Sequence, residues 1–158
     1  MRYSILATAA FALAAVCPVA LVHADGDSSP APVRARADPD FEAGKAAIKA
    51  SNWRGAIEAF SKVAARDPKN ADAQNWLGYS YRKSGDLDTA FKYYNEALRL
   101  DPRHRGAHEY VGEAYLMKGD VAKAKEHLAA LDSICFFGCE EFSDLKKAIA
   151  SYEAQAQK

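Results

Sequence analysis

The stretch LGYSYRKSGDLDTAFKYYNEALRLDP, residues 77–102, decides the fold because its landmarks recur before and after it at one constant interval. The recurring landmarks are Gly44, Gly78 and Gly112, then Ala56, Ala90 and Ala124, then Phe60, Tyr94 and Leu128, then Val63, Ala97 and Leu131, and finally Pro68 and Pro102. The interval from Gly44 to Gly78, which all of these sets share, is called the repeat period below. An internal period of this length indicates supersecondary units that stack on one another. The sequence therefore predicts an all-α solenoid, in which each unit pairs a glycine-containing helix with a second helix.

The segments between the landmarks predict where the helices end. The turns inside the three units are Ala50-Ser51-Asn52, Ser84-Gly85-Asp86 and Lys118-Gly119-Asp120. A glycine can take the left-handed conformation that ends a helix. The Asn or Asp that follows can accept hydrogen bonds from the free amides of the next helix. Asp67-Pro68 and Asp101-Pro102 separate the units, because a residue before proline is disfavoured in a helix.

Small and large side chains alternate along the predicted units. Gly78 and Ala90 are small, and we expect them where the two helices of one unit approach closely. Tyr81 and Tyr94 are large, and we expect them to fill holes left by a neighbouring unit. An open stack of this kind is stabilised by apolar area buried between successive units, at about 25 cal/mol per Å².

The middle unit resembles the tetratricopeptide repeat (TPR) family at its signature positions, Leu77, Gly78, Tyr81, Ala90, Tyr94, Ala97 and Pro102. The resemblance covers residues 37–138, as repeats at 37–70, 71–104 and 105–138. It implies a right-handed superhelix of helix pairs that encloses a concave groove. The first repeat departs from the family pattern with Ala47 at an aromatic position, and the third has Phe136 in place of the proline.

Residues 139–158 are predicted to form a C-terminal capping helix, as the resemblance to TPR arrays implies. Apolar side chains recur there at three- and four-residue steps, at Phe142, Leu145, Ile149 and Tyr152. This spacing places them on one helix face, which would cover the last apolar surface of the stack. We expect the polar side chains between them to face away, at Lys146, Lys147, Ser151 and Glu153.

Residues 1–24 have the layout of a secretory signal peptide. A basic Arg2 precedes an apolar run over residues 4–22, and Val22-His23-Ala24 suits signal peptidase. We expect cleavage after Ala24 and a periplasmic or secreted protein. The alternatives are a transmembrane anchor and lipidation of Cys17. Residues 25–36, DGDSSPAPVRAR, are rich in Ser, Pro and Gly and predict a flexible linker.

Composition and motifs exclude several classes of function. The chain has 21 basic and 21 acidic residues, a balance that argues against nucleic acid and an anionic membrane surface as partners. No stable membrane insertion is expected once the signal peptide has been cleaved. The sequence contains no glycine-rich phosphate loop, nucleophile elbow or metalloprotease motif. We therefore expect a protein that is not an enzyme and needs no cofactor.

The TPR resemblance implies that the first helix of each repeat lines the groove. The groove residues predicted in this way are Lys45, Lys49, Asn75, Trp76, Tyr79, Arg82, Lys83, Glu109, Tyr110 and Glu113. Family members that grip a terminal carboxylate use Lys, Asn and Arg on this wall, and only Lys45 and Asn75 match loosely. Gly106 and Tyr110 stand where basic residues would be expected. The prediction is an adaptor that binds a protein or peptide of unknown identity, without a carboxylate clamp.

Two cysteines give the chain its one local chemical motif after export. Cys135 and Cys139 are four residues apart, and Gly138 allows the bend that brings their Cα atoms within bridging distance. An oxidising compartment favours a disulfide, which would hold the capping helix where the usual proline is missing.

The alternative function is a thiol-based metal (copper) or redox factor that uses the same two cysteines. Thiolates are ligands for Cu(I), and His104 and His108 stand four residues apart. However, we expect His104 to lie in the turn after Pro102, and no spacing ties it to the cysteines. His127 is predicted to be a surface residue of a helix. No metal site is predicted.

Overall fold

The computed structural model describes residues 38–156, which form seven α-helices. They are α1 (Pro39–Lys49), α2 (Trp53–Arg66), α3 (Ala71–Ser84), α4 (Leu87–Leu100), α5 (Arg105–Met117), α6 (Val121–Ile134) and α7 (Glu140–Ala156). Successive helices pack as three pairs, and α7 packs on both helices of the third pair. The predicted all-α fold of three helix pairs and a C-terminal helix is confirmed. The predicted signal peptide (1–24) and linker (25–36) lie outside the described residues.

The turns inside the pairs form as their residues predict. Gly85 and Gly119 have φ angles of 95° and 80°, and Ser51 takes the same left-handed conformation at 54° in the first pair. The next residue in each turn caps the following helix through its side-chain oxygen, as seen at Asn52, Asp86 and Asp120. None of the helices within residues 38–156 combines the length and apolarity needed to cross a membrane.

Each glycine of the repeat period makes room for a large side chain. A methyl group on Gly44 would lie 2.6 Å from the ring of Phe60, and one on Gly78 would lie 2.5 Å from the ring of Tyr94. The prediction that Tyr94 fills a hole left by a neighbouring repeat therefore holds only in part. Its ring covers the glycine of its own pair, and it packs at the same time on Val111 of the next pair.

The third glycine is covered by α7 and not by its own pair. A methyl group on Gly112 would lie 2.6 Å from Leu145, which is fully buried. Leu145 and Ile149 complete a core cluster with Leu116 and Leu131. The capping helix therefore enters the space that Phe60 and Tyr94 occupy in the first two pairs, and this fixes it against α5.

Two side chains of α7 that were expected to face solvent have neighbours. The carboxylate of Glu153 lies 2.7 Å from the ammonium group of Lys125 on α6. Ser151 lies in the wall of a cleft between α7 and the inner helices. The prediction that Glu153 faces away from the stack is wrong, because its carboxylate pairs with a residue of α6. Ser151 is exposed, as predicted, although it borders the cleft.

Candidate functional site

Two clefts open beside the inner helices α3 and α5, and α7 borders both. The first, which we call the acidic cleft, has a volume of about 520 Å³ and is lined by Asp72, Asn75, Trp76, Asp101, Arg103, His104, Arg105, Gly106, Glu109, Tyr110, Glu140, Glu141 and Asp144. The second, the tyrosine cleft, has a volume of about 730 Å³ and is lined by Tyr79, Arg82, Lys83, Glu109, Tyr110, Glu113, Leu116, Met117, Ala148, Ser151, Tyr152 and Gln155. Glu109 and Tyr110 line both clefts.

Arg82 holds the wall of the tyrosine cleft together. Its guanidinium is buried, and its Nη2 lies 2.7 Å from Glu113 Oε2 on α5. Its Nε donates a hydrogen bond to the hydroxyl of Tyr94 at 3.3 Å. The guanidinium carbon also lies 5.3 Å and 5.6 Å from the ring centres of Tyr79 and Tyr110, within the range of cation–π attraction. Arg82 thus fixes both tyrosines and links α3 to α5.

Three aromatic rings form a continuous surface along α3 and α5. The ring of Tyr79 lies 5.6 Å from that of Trp76 and 4.9 Å from that of Tyr110, and Trp76 lies 6.1 Å from Tyr110. Trp76 also stacks on the buried ring of Phe60 with 13° between the planes. All three rings of the surface are half-buried. Rigid aromatic side chains held in this way are the kind of anchor that dominates binding energy at interfaces.

Glu109 lines both clefts, and the pKa of its carboxyl group is raised. Its partial burial raises its pKa to about 8, and the neighbouring carboxylates of Glu113, Asp144 and Glu141 add to the rise. Arg82 opposes the effect without cancelling it. Within residues 38–156 no cation forms a salt bridge with Glu109. Near neutral pH this carboxyl group therefore keeps its proton.

Asn75 is a buried polar side chain in the wall of the acidic cleft. It is 3% exposed, and its Oδ1 has no hydrogen-bond partner in the described part of the chain. Its Nδ2 lies 3.2 Å from the position that a Cβ on Gly106 would take, so the amide reaches the cleft beside that glycine. A buried amide oxygen without a partner is costly. The oxygen is itself buried, whereas the Nδ2 donor is the amide atom beside Gly106.

The structure places eight of the ten predicted groove residues in the clefts. The other two, Lys45 and Lys49, lie outside both. Lys45 pairs with Glu42 on its own helix at 2.8 Å, and Lys49 is exposed at the end of α1. The basic half of the predicted groove is therefore reduced to Arg82 and Lys83, with Arg82 engaged in internal contacts.

Sequence reasoning missed the contribution of α7 to both clefts. The lining side chains of α7 beyond its first turn are Asp144, Ala148, Ser151, Tyr152 and Gln155. Tyr152 belongs to the apolar stripe that was recognised, and Asp144, Ala148, Ser151 and Gln155 follow three- and four-residue steps beside it. A second, more polar stripe at helical spacing was therefore the pattern that could have identified them.

The cysteines and histidines do not gather into a metal centre. Cys135 and Cys139 are joined in a disulfide with a Cα–Cα distance of 5.7 Å. Within the described residues, no group of three or more His, Cys, Asp or Glu is arranged to hold a metal ion. The loop closed by the disulfide presents Phe136 and Phe137, which are 89% and 96% exposed.

The histidines have structural partners. His104 lies in the turn before α5, as predicted, and its side chain caps that helix. Its Nε2 lies 3.1 Å from Asp72 Oδ1. His108 Nδ1 lies 3.0 Å from His127 Nδ1. The prediction that His127 is a surface residue is wrong, because it packs between His108 and the ring of Tyr115. Burial, together with His108, lowers the pKa of His127 to about 4.

Solved structures with the same arrangement of helices are domains of the TPR type. The TPR2B domain of yeast Sti1, in a complex with pHsp70, is 22% identical and has a TM-score of 0.66, covering 73% of this chain and 94% of the domain. The first TPR domain of Spaghetti (RPAP3), bound to the HSP90 peptide SRMEEVD, is 21% identical with a TM-score of 0.64, covering 73% and 93%. The chaperone SycD of Yersinia enterocolitica, in complex with a peptide of the translocator YopD, is 18% identical with a TM-score of 0.63, covering 75% and 89%. At these identities the similarity shows the fold.

Sequence comparison reaches the same family. No curated protein sequence matches the chain significantly. The profile of the tetratricopeptide repeat matches residues 41–103 and 79–133, which together span more than half of the chain. The matched residues include the glycines, alanines and aromatic positions of the repeat period. The chain therefore belongs to the tetratricopeptide repeat family.

Proposed function

We propose that this TPR protein is an exported, non-catalytic scaffold that binds a segment of another protein in the two clefts. The observation that carries the proposal is the surface formed by Trp76, Tyr79 and Tyr110. Tyr79 and Tyr110 are fixed by the buried Arg82, and Trp76 is fixed by its stacking on Phe60. The three rings stand beside open volumes of about 520 and 730 Å³. Side chains that are already ordered lose little entropy on binding, so a peptide can gain affinity from them.

The similar TPR domains support this proposal by analogy. The domain of Spaghetti (RPAP3) was solved with an HSP90 peptide, and SycD with a peptide of YopD. Those ligands belong to those proteins. What this chain shares with them is the arrangement of inner helices, and its own rings decide what can bind there.

Export is the second part of the proposal, and the sequence supports it. Residues 1–24 have the layout of a signal peptide. A Cys135–Cys139 disulfide suits an oxidising compartment. A scaffold in the periplasm or outside the cell would meet its partner there.

The experiment is selection from a random dodecapeptide library with blocked termini. The protein should enrich a family of peptides, and Trp76→Ala with Tyr79→Ala should weaken the best of them at least tenfold. Phe136→Ala with Phe137→Ala is the matched control, since these two rings are exposed and lie outside both clefts.

Folding must be followed alongside binding. Trp76 stacks on Phe60, so its truncation removes some packing and the helical circular dichroism melt should be recorded for each variant. Tyr79→Leu keeps apolar volume while losing the ring, and it should weaken binding with little change in the melt. If the Tyr79→Leu and Trp76→Ala variants both fold and both keep full affinity for the peptide, the proposed site is refuted.

A further inference from the structure

We propose that the tyrosine cleft is a subsite for one large apolar side chain, a leucine, methionine or phenylalanine, of the bound protein segment. This inference rests on the proposed function, because it names what one part of the same site recognises. Tyr79 and Tyr110 belong both to this cleft and to the aromatic surface along α3 and α5. The subsite therefore continues that surface toward α7.

Met117 gives the tyrosine cleft an exposed apolar wall. Its side chain is 55% exposed at the end of α5, whereas that of Leu116 beside it is buried. Within residues 38–156, the other large apolar side chains with this much exposure are Phe136 and Phe137, which lie outside both clefts. A single exposed apolar residue is common on a protein surface, but Met117 lines a concave site together with Leu116 and Ala148. Its flexible thioether can adapt to the shape of an apolar group that covers it.

The charged groups that line the tyrosine cleft are engaged within the protein. Arg82 Nη2 lies 2.7 Å from Glu113 Oε2. Glu109, with a pKa of about 8, keeps its proton near pH 7. Lys83 is exposed, and its ammonium group lies 5.6 Å from the ring centre of Trp53, which is outside the cleft lining. A charged side chain of the ligand would therefore give up hydration here without meeting a free buried charge, whereas burial of an apolar side chain is favourable.

The tyrosine rings and the volume of the cleft suit a bulky apolar group. The ring centres of Tyr79 and Tyr110 lie 4.9 Å apart, and Tyr152 of α7 contributes a third ring. The Tyr152 hydroxyl lies 3.4 Å from the position that a Cβ on Gly119 would take, so this ring reaches the turn between α5 and α6. A volume of about 730 Å³ accommodates a large side chain and the peptide backbone beside it.

The proton on Glu109 links this subsite to pH. The groups that face Glu109 are Arg82 on α3, Glu113 and Tyr110 on α5, and Glu141 and Asp144 on α7. An apolar side chain in the cleft removes water from the Glu109 carboxyl group, so its pKa of about 8 must rise further on binding. The affinity for an apolar peptide should therefore fall about fivefold from pH 7 to pH 9. Glu109→Gln cannot ionise and should remove this dependence.

Two exposed positions allow the subsite to be blocked without disturbing the core. Met117→Asp places a carboxylate in the cleft, and Ser151→Trp fills the cleft from α7. Ala150→Trp is the matched control for the second change, since it adds the same ring at an exposed position of α7 outside both clefts. Phe137→Asp is the control for the first, since it places a carboxylate at an exposed apolar position away from the clefts.

The experiment reads the same random dodecapeptide library for residue preference and then combines changes in peptide and protein. Wild-type protein should enrich Leu, Met or Phe at one position, and alanine at that position of the best peptide should weaken binding at least about tenfold. With Met117→Asp or Ser151→Trp, the same peptide change should cost less than about twofold. With Ala150→Trp or Phe137→Asp, it should keep its full cost. Circular dichroism melts should show that all four variants remain folded.

The outcomes separate this inference from the proposed function. Peptides that depend on Trp76 and Tyr79 but prefer no apolar residue at any position would overturn the subsite and leave the groove intact. Enrichment of Asp or Glu, which would indicate pairing with Lys83, would also overturn the subsite, as would a tenfold cost that persists in both blocked variants. Selection of no peptide at all would overturn both proposals. Loss of the apolar preference in Met117→Asp and Ser151→Trp, with its retention in the two controls, would support the inference.

Discussion

Replacing Glu109 with glutamine should make the protein more stable in alkaline solution and leave its stability almost unchanged in acid. The ordinary pKa of a glutamate is 4.5, and in the folded chain that of Glu109 is about 8. The folded state therefore binds this proton more tightly than the unfolded state. Its contribution to stability is complete below pH 4.5 and is lost as the pH rises through 8.

The size of the effect follows from the same two values. A difference between 4.5 and 8 would correspond to about 5 kcal/mol if all of it appeared in the free energy of unfolding. Because the side chain is only partly buried, solvent and salt screen the repulsion, and about 1 to 2 kcal/mol is expected. Within residues 38–156 Glu109 forms no salt bridge whose loss would offset this gain.

Urea unfolding at pH 4 and pH 8.5 measures this difference directly. Glu109→Gln should exceed the wild type by about 1 to 2 kcal/mol at pH 8.5 and by less than about 0.5 kcal/mol at pH 4. Glu58→Gln, which removes a carboxylate paired with Lys62 on the surface, should show no such pH-dependent gain. An equal stability difference at both pH values, or a loss at pH 8.5, would refute the reasoning.

Two further predictions concern the helices that support the site. In the folded state, burial and the neighbouring His108 lower the pKa of His127 to about 4, so the ring stays neutral well below pH 6.5. As the pH falls from 6.5 to 4, the free energy of unfolding of the wild type should therefore decrease by about 1 to 2 kcal/mol more than that of His127→Gln. Urea unfolding across that range checks this, and parallel acid profiles would contradict it. Gly112→Ala should cost about 1 to 3 kcal/mol by forcing α7 away from α5. Helix propensity alone would make the Gly112→Ala protein more stable by about 1 kcal/mol. A raised melting temperature would therefore show that Leu145 of α7 does not pack against position 112.

The fold could be predicted from the sequence because its causes are local and repeated. The glycine, alanine and aromatic positions recur with the repeat period, and the second and third turns carry their own helix-ending residues at Gly85 and Gly119. These features act within one helix pair. The capping helix was also predictable, since its apolar stripe through Leu145 and Ile149 must be covered.

The chemistry of the site was less predictable because it depends on contacts between distant residues. The side chain of Arg82 was expected to line an open wall, whereas Tyr94 and Glu113 hold it in a buried network. The high pKa of Glu109 depends in part on Asp144, which α7 brings into a cleft that the repeat period does not describe. No pattern within one helix shows that these two carboxyl groups meet.

The most direct test of the binding site is a map of amide chemical shifts as the best library peptide is titrated into isotope-labelled protein. We predict that the largest changes fall on α3, α5 and the cleft-facing side of α7, with the indole of Trp76 and the amides around Tyr79 and Glu109 among them. Changes confined to the outer helices α2, α4 and α6, or to the loop of Phe136 and Phe137, would contradict the account.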